Sequence, residues 1–549
     1  MKVNKQRALF AAVLVAGLAW LLLLCNRGIN MADEGVQVLY GYQVAGGAVT
    51  YLDYFVPVAP LGFLIQAGLT KLFGFHLIIG RLFAVLQGVF ILLMALDLGR
   101  RYLRFPFSLA PGVLYIFFGA ALGGFPHYNL DAAFFLFAGF YLSCLHMEKG
   151  SNWIIFAAGL LASCAACSKQ SMAIPAAVVV ALSVWMGRSK GRGLLRPALA
   201  GSFGLALPAL LLFTRYATAH ALEEAWSCLF GLMGMKRVVL FHILPPAAGV
   251  VFVSLVLVYT IIRTTKARPF IASLLLALSA AGAAVLILSL PGPFPETYVC
   301  ALIALSLLLF TSPGKEHREF WRLARVTWAL FFIFSVLSGL DLAHVLVASA
   351  GAPLLAGLFV QNSWEQGGRS LRSMGAVLLV VAMGVGAYLN LALPHISVLM
   401  QPRWESTARI DLDGLELIRA PPDKAREIER TVNWIKGHSA KDDKIFVYPW
   451  DLLLYVFSDR MPATYDTFFY FEIFDQKIAE RVVKDLEREK PEIAVVSMTG
   501  DRFRHQAFAG QAGMIEGYLK SRYKKVVRFG DYQIMERRAE KSFSEREKP

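Results

Sequence analysis

Acidic side chains are scarce over most of this chain. Residues 1–391 hold 13 Asp and Glu against 27 Lys and Arg, whereas residues 392–549 hold 26 against 27. The formal charge of +15 therefore belongs almost wholly to the first part. No stretch interleaves Arg and Lys with aromatics into a basic patch, so nucleic acid is excluded as the reason for that charge. Cysteine is absent beyond residue 391: all six (Cys25, Cys144, Cys164, Cys167, Cys228 and Cys300) precede it. The tail therefore cannot rely on disulfides in any compartment. Cys164-Ala-Ala-Cys167 has no second pair to complete a metal site and reads as small packing residues in an apolar helix.

Apolar residues are abundant: 57% of the chain is hydrophobic, with 40 Phe. Long apolar runs recur from residue 8 to residue 391, many near the roughly 20 residues that cross a bilayer. They are continuous rather than alternating, which excludes a β-barrel. The fold expected is a polytopic α-helical membrane protein of about 13 transmembrane helices, followed by a small C-terminal α/β soluble domain. Spans are placed at 8–25, 79–99, 107–124, 131–147, 153–168, 172–187, 197–215, 245–262, 270–289, 298–311, 326–339, 345–361 and 373–391. The chain divides into a membrane domain, 1–391, and a soluble domain, 392–549.

The charges test this threading, because cytoplasmic loops collect Lys and Arg. With Lys2, Lys5 and Arg7 inside, 20 of the 27 basic residues fall on the inner side. The outer side holds Arg27, Lys71, Arg81, Lys169, Arg215, Lys236 and Arg237. An odd number of spans sends the tail outside. The expected placement is the cytoplasmic (inner) membrane, N-terminus cytoplasmic and C-terminal domain extracytoplasmic. Asp33, Glu34, Asp53, Asp131, Glu223, Glu224, Glu296 and Asp341 collect on the outer face.

The adjacent carboxylates Asp33 and Glu34 stand just past the first span. Ionisable groups at a membrane edge are costly and usually functional. The outer segment that follows, 26–78, is too long for a turn. Val36–Ala45 and Leu61–Phe73 read as short apolar helices that suit an interfacial lie.

The motif order is Asp33-Glu34, Tyr42…Gly46-Gly47, Tyr51-Leu52-Asp53-Tyr54, Pro60-Leu61, Leu72-Phe73-Gly74 and Arg81. It resembles the GT-C glycosyltransferases that use polyprenyl-phosphate sugars, the protein O-mannosyltransferase and lipid A aminoarabinose transferase group. Asn129-Leu130-Asp131 falls where that family places a second acidic residue. Ser168-Lys169-Gln170 falls where the family often has a Lys followed by Gly or Pro. Leu340-Asp341-Leu-Ala-His344 is similar to the Asp-x-x-His of some bacterial members. Leu130 replaces the frequent Pro of the second acidic site. The resemblance implies a polyprenyl-phosphate sugar donor (undecaprenyl phosphate in a bacterium) and an envelope lipid, glycan or protein acceptor.

Glycosyl transfer needs a base for the attacking hydroxyl and positive charge for the departing phosphate. Asp33 suits the base. Lys169, with Arg81 and Arg215, suits the phosphate. One carboxylate acting alone implies inversion, since retention needs two converging ones. Asp131 orients the acceptor or, with Glu34, holds a divalent cation through oxygen ligands. Asp53, Tyr54, His127, Asp341 and His344 are candidates for shaping the substrate site. Each has a plainer reading: Asp33 and Glu34 as acids at a helix N-terminus, Lys169 as an interfacial snorkel, Asp131 as an N-cap, Asp53 as a loop organiser. Asp411-Leu-Asp413 reads as a chance Asp-x-Asp.

In the tail, a helix is expected at 424–436, a strand at 444–449, a charged helix at 472–489, a strand at 492–498 and a hairpin around Gly530-Asp531. The tail shows neither a nucleophile–base set nor a Gly-rich phosphate loop. A rival reading of the chain is a transporter or flippase for a lipid-linked glycan, which would carry charges or broken helices at the bilayer midplane. A third is a glycan polymerase or ligase.

Overall fold

A computed structural model describes residues 2–118, 124–188, 193–230, 317–336, 351–366, 403–469, 476–498 and 511–539. The helices of the first part are α1 (Lys2–Cys25), α2 (Asp33–Ala45), α3 (Leu61–Phe73), α4 (Leu77–Tyr102), α5 (Ala110–Phe118), α6 (Tyr128–Lys149), α7 (Asn152–Ser168), α8 (Ala173–Gly187), α9 (Leu195–Thr218) and α10 (Leu222–Phe230). Two more follow, α11 (Arg318–Val336) and α12 (Ala352–Gln366). Among the described residues, five helical stretches are long and apolar enough to cross a membrane: Asn4–Cys25, Leu77–Tyr102, Tyr128–Lys149, Gln170–Gly187 and Leu195–Thr218. The chain is a multi-pass membrane protein. The spans expected at 245–262, 270–289, 298–311 and 373–391 lie outside the described residues, as does the domain boundary near 391.

Small residues bring the membrane helices together. A side chain at Gly139 of α6 would press on Ala158 and Ala162 of α7; one at Gly159 would collide with the Gly201 carbonyl of α9, and one at Gly204 with the Phe156 carbonyl. Lipid offers apolar helices no hydrophobic drive to associate, so such close backbone contact supplies the attraction. The far face of α9 leaves Leu199, Phe203, Leu210, Leu211 and Phe213 exposed, as a lipid-facing surface requires. At one end of the bundle Arg101 bridges Asp97 of its own helix and Glu148 of α6, at 2.6 and 2.8 Å.

Helix α11 begins at Arg318, well before the apolar run expected at 326–339. Arg and Glu are strong helix formers, so the charged lead-in joins the helix although hydropathy stops short of it.

The tail contains β1 (Ala408–Arg409), β2 (Arg419–Ala420), α13 (Pro422–His438), β3 (Lys444–Tyr448), α14 (Leu453–Ser458), β4 (Met461–Pro462), α15 (Gln476–Glu489), β5 (Ile493–Ser497), α16 (Gln511–Arg522), β6 (Tyr523–Phe529) and β7 (Tyr532–Arg537). Its five-stranded sheet has the order β4-β3-β5-β7-β6; β4, β3 and β5 run parallel, and β7 and β6 pair antiparallel. Successive strand residues face opposite sides of a sheet. Phe446 and Tyr448 accordingly join Val482, Leu486 and Leu519 in a core internal to the tail. Ile445 and Val447 face the other way, into a core shared with Val38, Leu39, Tyr40, Tyr54 and Phe63 of the 26–78 loop. Loop and tail thus bury their apolar surface as one body.

Ten of the thirteen residues of α2 are buried, Gln37 and Gln43 among them. The interfacial lie expected for it is therefore corrected: tail and membrane helices cover the helix, and bilayer does not. The tip of α3 keeps the exposed, apolar character of a membrane-contacting segment at Leu72 and Phe73.

Candidate active site

An asparagine, Asn30, stands three residues before the first residue of helix α2. The first N–H groups of a helix lack intrahelical partners, and Asn is a favoured residue to receive them. Asn30 is wholly buried; its Oδ1 accepts from the N–H groups of Ala32 (3.2 Å) and Asp33 (2.9 Å), and its Nδ2 donates to Asp33 Oδ2 at 3.1 Å. Successive helical residues point about 100° apart. Asp33 is left half-buried, while Glu34 is sealed.

Glu34 meets Arg81 of α4. Arg81 Nε and Nη2 donate to the two Glu34 oxygens, each at 2.7 Å, and Nη1 and Nη2 reach the carbonyls of Cys25 and Gly28 at 3.0 Å. Such a fork-to-fork pair is among the stronger charge-assisted contacts. Arg403 of the tail lies behind it, fully buried; burial first, then the charge of Arg81, lowers its pKa to about 10, with Glu34 opposing. Arg81 was expected on a donor phosphate. Its guanidinium is instead committed to Glu34 and two carbonyls.

Asp131 stands in the first turn of α6 and is buried. Its Oδ2 accepts from Gln37 Nε2 of α2 at 2.9 Å and its Oδ1 from Gln87 Nε2 of α4 at 2.7 Å. The N-cap alternative for Asp131 is overturned: His127 caps α6, its Nδ1 accepting from the Asn129 N–H at 3.1 Å while its ring stacks on Tyr128. Gln37 follows Asp33 by four residues, so the two side chains share one face of α2. Asp33 therefore shares a helix face with the Gln37 that holds the buried Asp131 carboxylate. The side-chain amide of Asn129 and Gln37 Oε1 are buried there without a partner among the described residues. Gly62 makes room for the carboxylate, since a Cβ on it would lie 2.7 Å from Asp131 Oδ2.

Lys169 is buried in the extended link between α7 and α8. Beside it, Gln170 Nε2 donates to the Pro57 carbonyl at 2.8 Å, and its Oε1 accepts from the Ala59 N–H at 3.2 Å. The link is thereby clamped to the 57–59 part of the long loop.

Asp53 is exposed and accepts from the Val49 N–H at 2.6 Å, organising its own turn. Tyr54, expected beside the acceptor, is sealed: it stacks on Tyr40 with centroids 4.4 Å apart and bonds the Thr50 hydroxyl at 2.8 Å. Burial pushes the hydroxyls of Tyr40, Tyr51 and Tyr54 well up, so these are neutral structural groups. Arg215 is exposed in the last turn of α9. Asp341 and His344 lie outside the described residues.

The cation reading for Glu34 and Asp131 does not fit these residues. Both Glu34 oxygens accept from one guanidinium, and both Asp131 oxygens face amide donors. Among the described residues no group of three His, Cys, Asp or Glu could hold a metal.

Sequence reasoning missed Asn30, Gln37, Gln87 and Gln170. A signal existed for Gln87: a polar amide in the middle of an apolar span is itself unusual.

The arrangement of apolar helices and α/β tail is similar in backbone course to solved membrane-protein structures. The archaeal oligosaccharyltransferase AglB from Archaeoglobus fulgidus, in complex with an inhibitory peptide and a dolichol-phosphate, matches with a TM-score of 0.53 at 11% identity, over 96% of this chain and 74% of that one. The same organism's oligosaccharyltransferase tethered with an acceptor peptide gives 0.50 at 10% identity, over 94% and 72%. ArnT from Cupriavidus metallidurans bound to undecaprenyl phosphate gives 0.44 at 13% identity, over 97% and 98%. No protein-family model matches the chain, and no curated protein sequence does. What is shared at such identity is the course of the backbone.

Proposed function

We propose that this chain is a membrane glycosyltransferase that moves a sugar from a polyprenyl-phosphate-linked donor to a lipid, glycan or protein acceptor. Transfer takes place at the outer face of the cytoplasmic membrane. The thirteen-span threading, with the N-terminus inside and the tail outside, belongs to this reading. The observation that supports it is that the half-buried Asp33 shares a face of α2 with Gln37, whose amide holds the buried Asp131 carboxylate.

In this reading Asp33 takes the proton of the acceptor hydroxyl as its oxygen attacks the anomeric carbon. The sugar–phosphate bond breaks, and its electron pair leaves with the polyprenyl phosphate. Lys169 and Arg215 offset the charge that develops there. One attacking oxygen and one leaving phosphate invert the anomeric centre. Asp131, held by two amides, keeps a fixed orientation for the acceptor. The Glu34–Arg81 pair ties the start of α2 to α4 and takes no part in proton transfer. The sugar can be a hexose or a pentose.

The test is turnover of radiolabelled polyprenyl-phosphate sugars by protein reconstituted in liposomes. Bond cleavage with transfer, reduced about 10²–10⁴-fold by Asp33→Asn, is the expected result. Movement of intact donor across the bilayer would mark a flippase, and full activity in Asp33→Asn would remove it as the base.

A further inference from the structure

The segment between α1 and the acidic pair is stitched to the tail. The Arg419 N–H donates to the Asn26 carbonyl at 2.8 Å, and the Gly28 N–H donates back to the Arg419 carbonyl at 2.9 Å. Farther on, the Leu453 N–H donates to the Met31 carbonyl at 3.3 Å. Leu452 and Leu453 are fully buried, and the turn that carries them lies directly on the first turn of α2. The contact is close: a Cβ at Gly35 would lie 3.0 Å from Leu452 Cβ and 3.3 Å from the Leu453 backbone nitrogen, so the tail turn would have to shift by a few tenths of an ångström. From this anchored stretch Asn30 alone spans, by side chain, to the Asp33 backbone and carboxylate.

We propose that Asn30 is a positioning residue for the Asp33 carboxylate, and that the tail turn at Leu452–Leu453 sets the path from which Asn30 reaches it. The inference rests on the transferase reading and adds a role for the tail: a wall of the site that aims the base, besides any part in meeting the acceptor. A base must sit within hydrogen-bond reach of the proton it removes, and small displacements cost rate steeply. Asn30 meets both demands, because its oxygen fixes the start of the helix and its amide fixes the rotamer of Asp33.

Three variants separate positioning from stability. Asn30→Asp keeps an oxygen for the two backbone N–H groups but has no amide to give Asp33. Asn30→Ala keeps neither. Gly35→Ala presses on the tail turn and leaves Asn30 in place. Steady-state kinetics with a radiolabelled polyprenyl-phosphate sugar, thermal melting and hydrogen exchange over residues 26–36 are measured on the full chain in detergent. Asn30→Asp, which buries a second carboxylate beside Asp33, should melt below wild type, and the protein that remains folded should lose tenfold or more in kcat, with the donor KM within about twofold. The acid limb of its rate profile should move to higher pH, because a donor to the carboxylate has been removed. Gly35→Ala should speed exchange at 26–36 and lower kcat without a matching change in donor KM. Wild-type kcat in Asn30→Asp, or slow exchange at 26–36 in Gly35→Ala, would overturn the proposal. If wild-type protein transfers no sugar, the transferase reading fails on its own; the exchange comparison still decides whether the tail holds this segment.

Discussion

Glu34 and Arg81 lie 47 residues apart in sequence and meet side-on in a buried two-point contact, each N–O distance 2.7 Å. The neighbouring carboxylate, Asp33, takes a different course and stays accessible. Two adjacent acids are thereby split between a sealed ion pair and a half-buried position by the direction each leaves the helix.

Removing one partner of that pair strands a buried charge. Arg81→Met or Glu34→Gln alone should cost about 3–5 kcal/mol, whereas the double variant Glu34→Leu/Arg81→Met should recover most of the loss. Thermal and denaturant melting of the purified protein read this directly. A double-variant loss equal to the sum of the single losses would mean the pair does not act as a unit.

Asp131 and Gly62 make a steric prediction. Gly62→Ala places a methyl against Asp131 Oδ2 and near Gln37 Oε1. Overpacking of this kind costs about 1–3 kcal/mol. Under the transferase reading kcat should fall at least tenfold as the carboxylate leaves its amide partners. Asp131→Asn keeps the volume and removes the charge, so comparing the two variants in the liposome assay separates position from charge.

Gln170 clamps the 57–59 loop beside Lys169. Gln170→Ala should cost about 1 kcal/mol for each bond no longer made. It should also raise the donor KM more than it lowers kcat, because Lys169 rides on the same link. A donor KM unchanged within twofold would detach Lys169 from donor binding.

The tail is latched to α2 by Tyr42, whose hydroxyl donates to Asp459 Oδ1 at 2.6 Å. Burial, then the hydrogen bond and charge of Asp459, pushes the Tyr42 hydroxyl up to about 12. Its folded pKa exceeds the ordinary value of about 10. The stability it contributes is therefore complete below pH ~10 and lost as pH rises through about 12. Burial works to raise Asp459, but the Tyr42 hydroxyl and the Lys441 ammonium outweigh it and hold that carboxyl low. Its contribution is present above its unfolded pKa of about 3.9 and lost as pH falls through the lower folded value. Melting followed against pH should show the alkaline decline in wild type and a flatter profile between pH 10 and 12 in Tyr42→Phe.

Much of the local structure was legible. The run 153–168 became Asn152–Ser168, and Lys444–Tyr448 and Ile493–Ser497 were recognisable as strands from short apolar runs with β-branched residues. Helices α14 and α16 were not foreseen, because Leu453–Ser458 is too short to show a period and Gln511–Arg522 is nearly without an apolar face. At the site, Asp33 and Asp131 were legible as carboxylates in an acid-poor chain. The partner of Arg81 was not legible for a physical reason: a cation near a membrane edge advertises its charge but not what it pairs with. His127 as a cap and Tyr54 as a sealed stacking ring were equally invisible, since both depend on what packs over them.

Composition and periodicity alone determined that this chain threads a membrane with apolar helices, carries its excess of positive charge in that part, and ends in an alternating helix–strand tail. Those properties follow from short-range physics: the length of an apolar run, the twofold or 3.6-fold spacing of side chains, and the cost of bare charge in lipid. Tertiary structure decided which charges neutralise each other and which stay open. Tyr42 and Asp459 are 417 residues apart and Gln37 and Asp131 are 94 apart. No local pattern encodes such pairings; they form only when separate elements pack and every buried polar group has to find a partner.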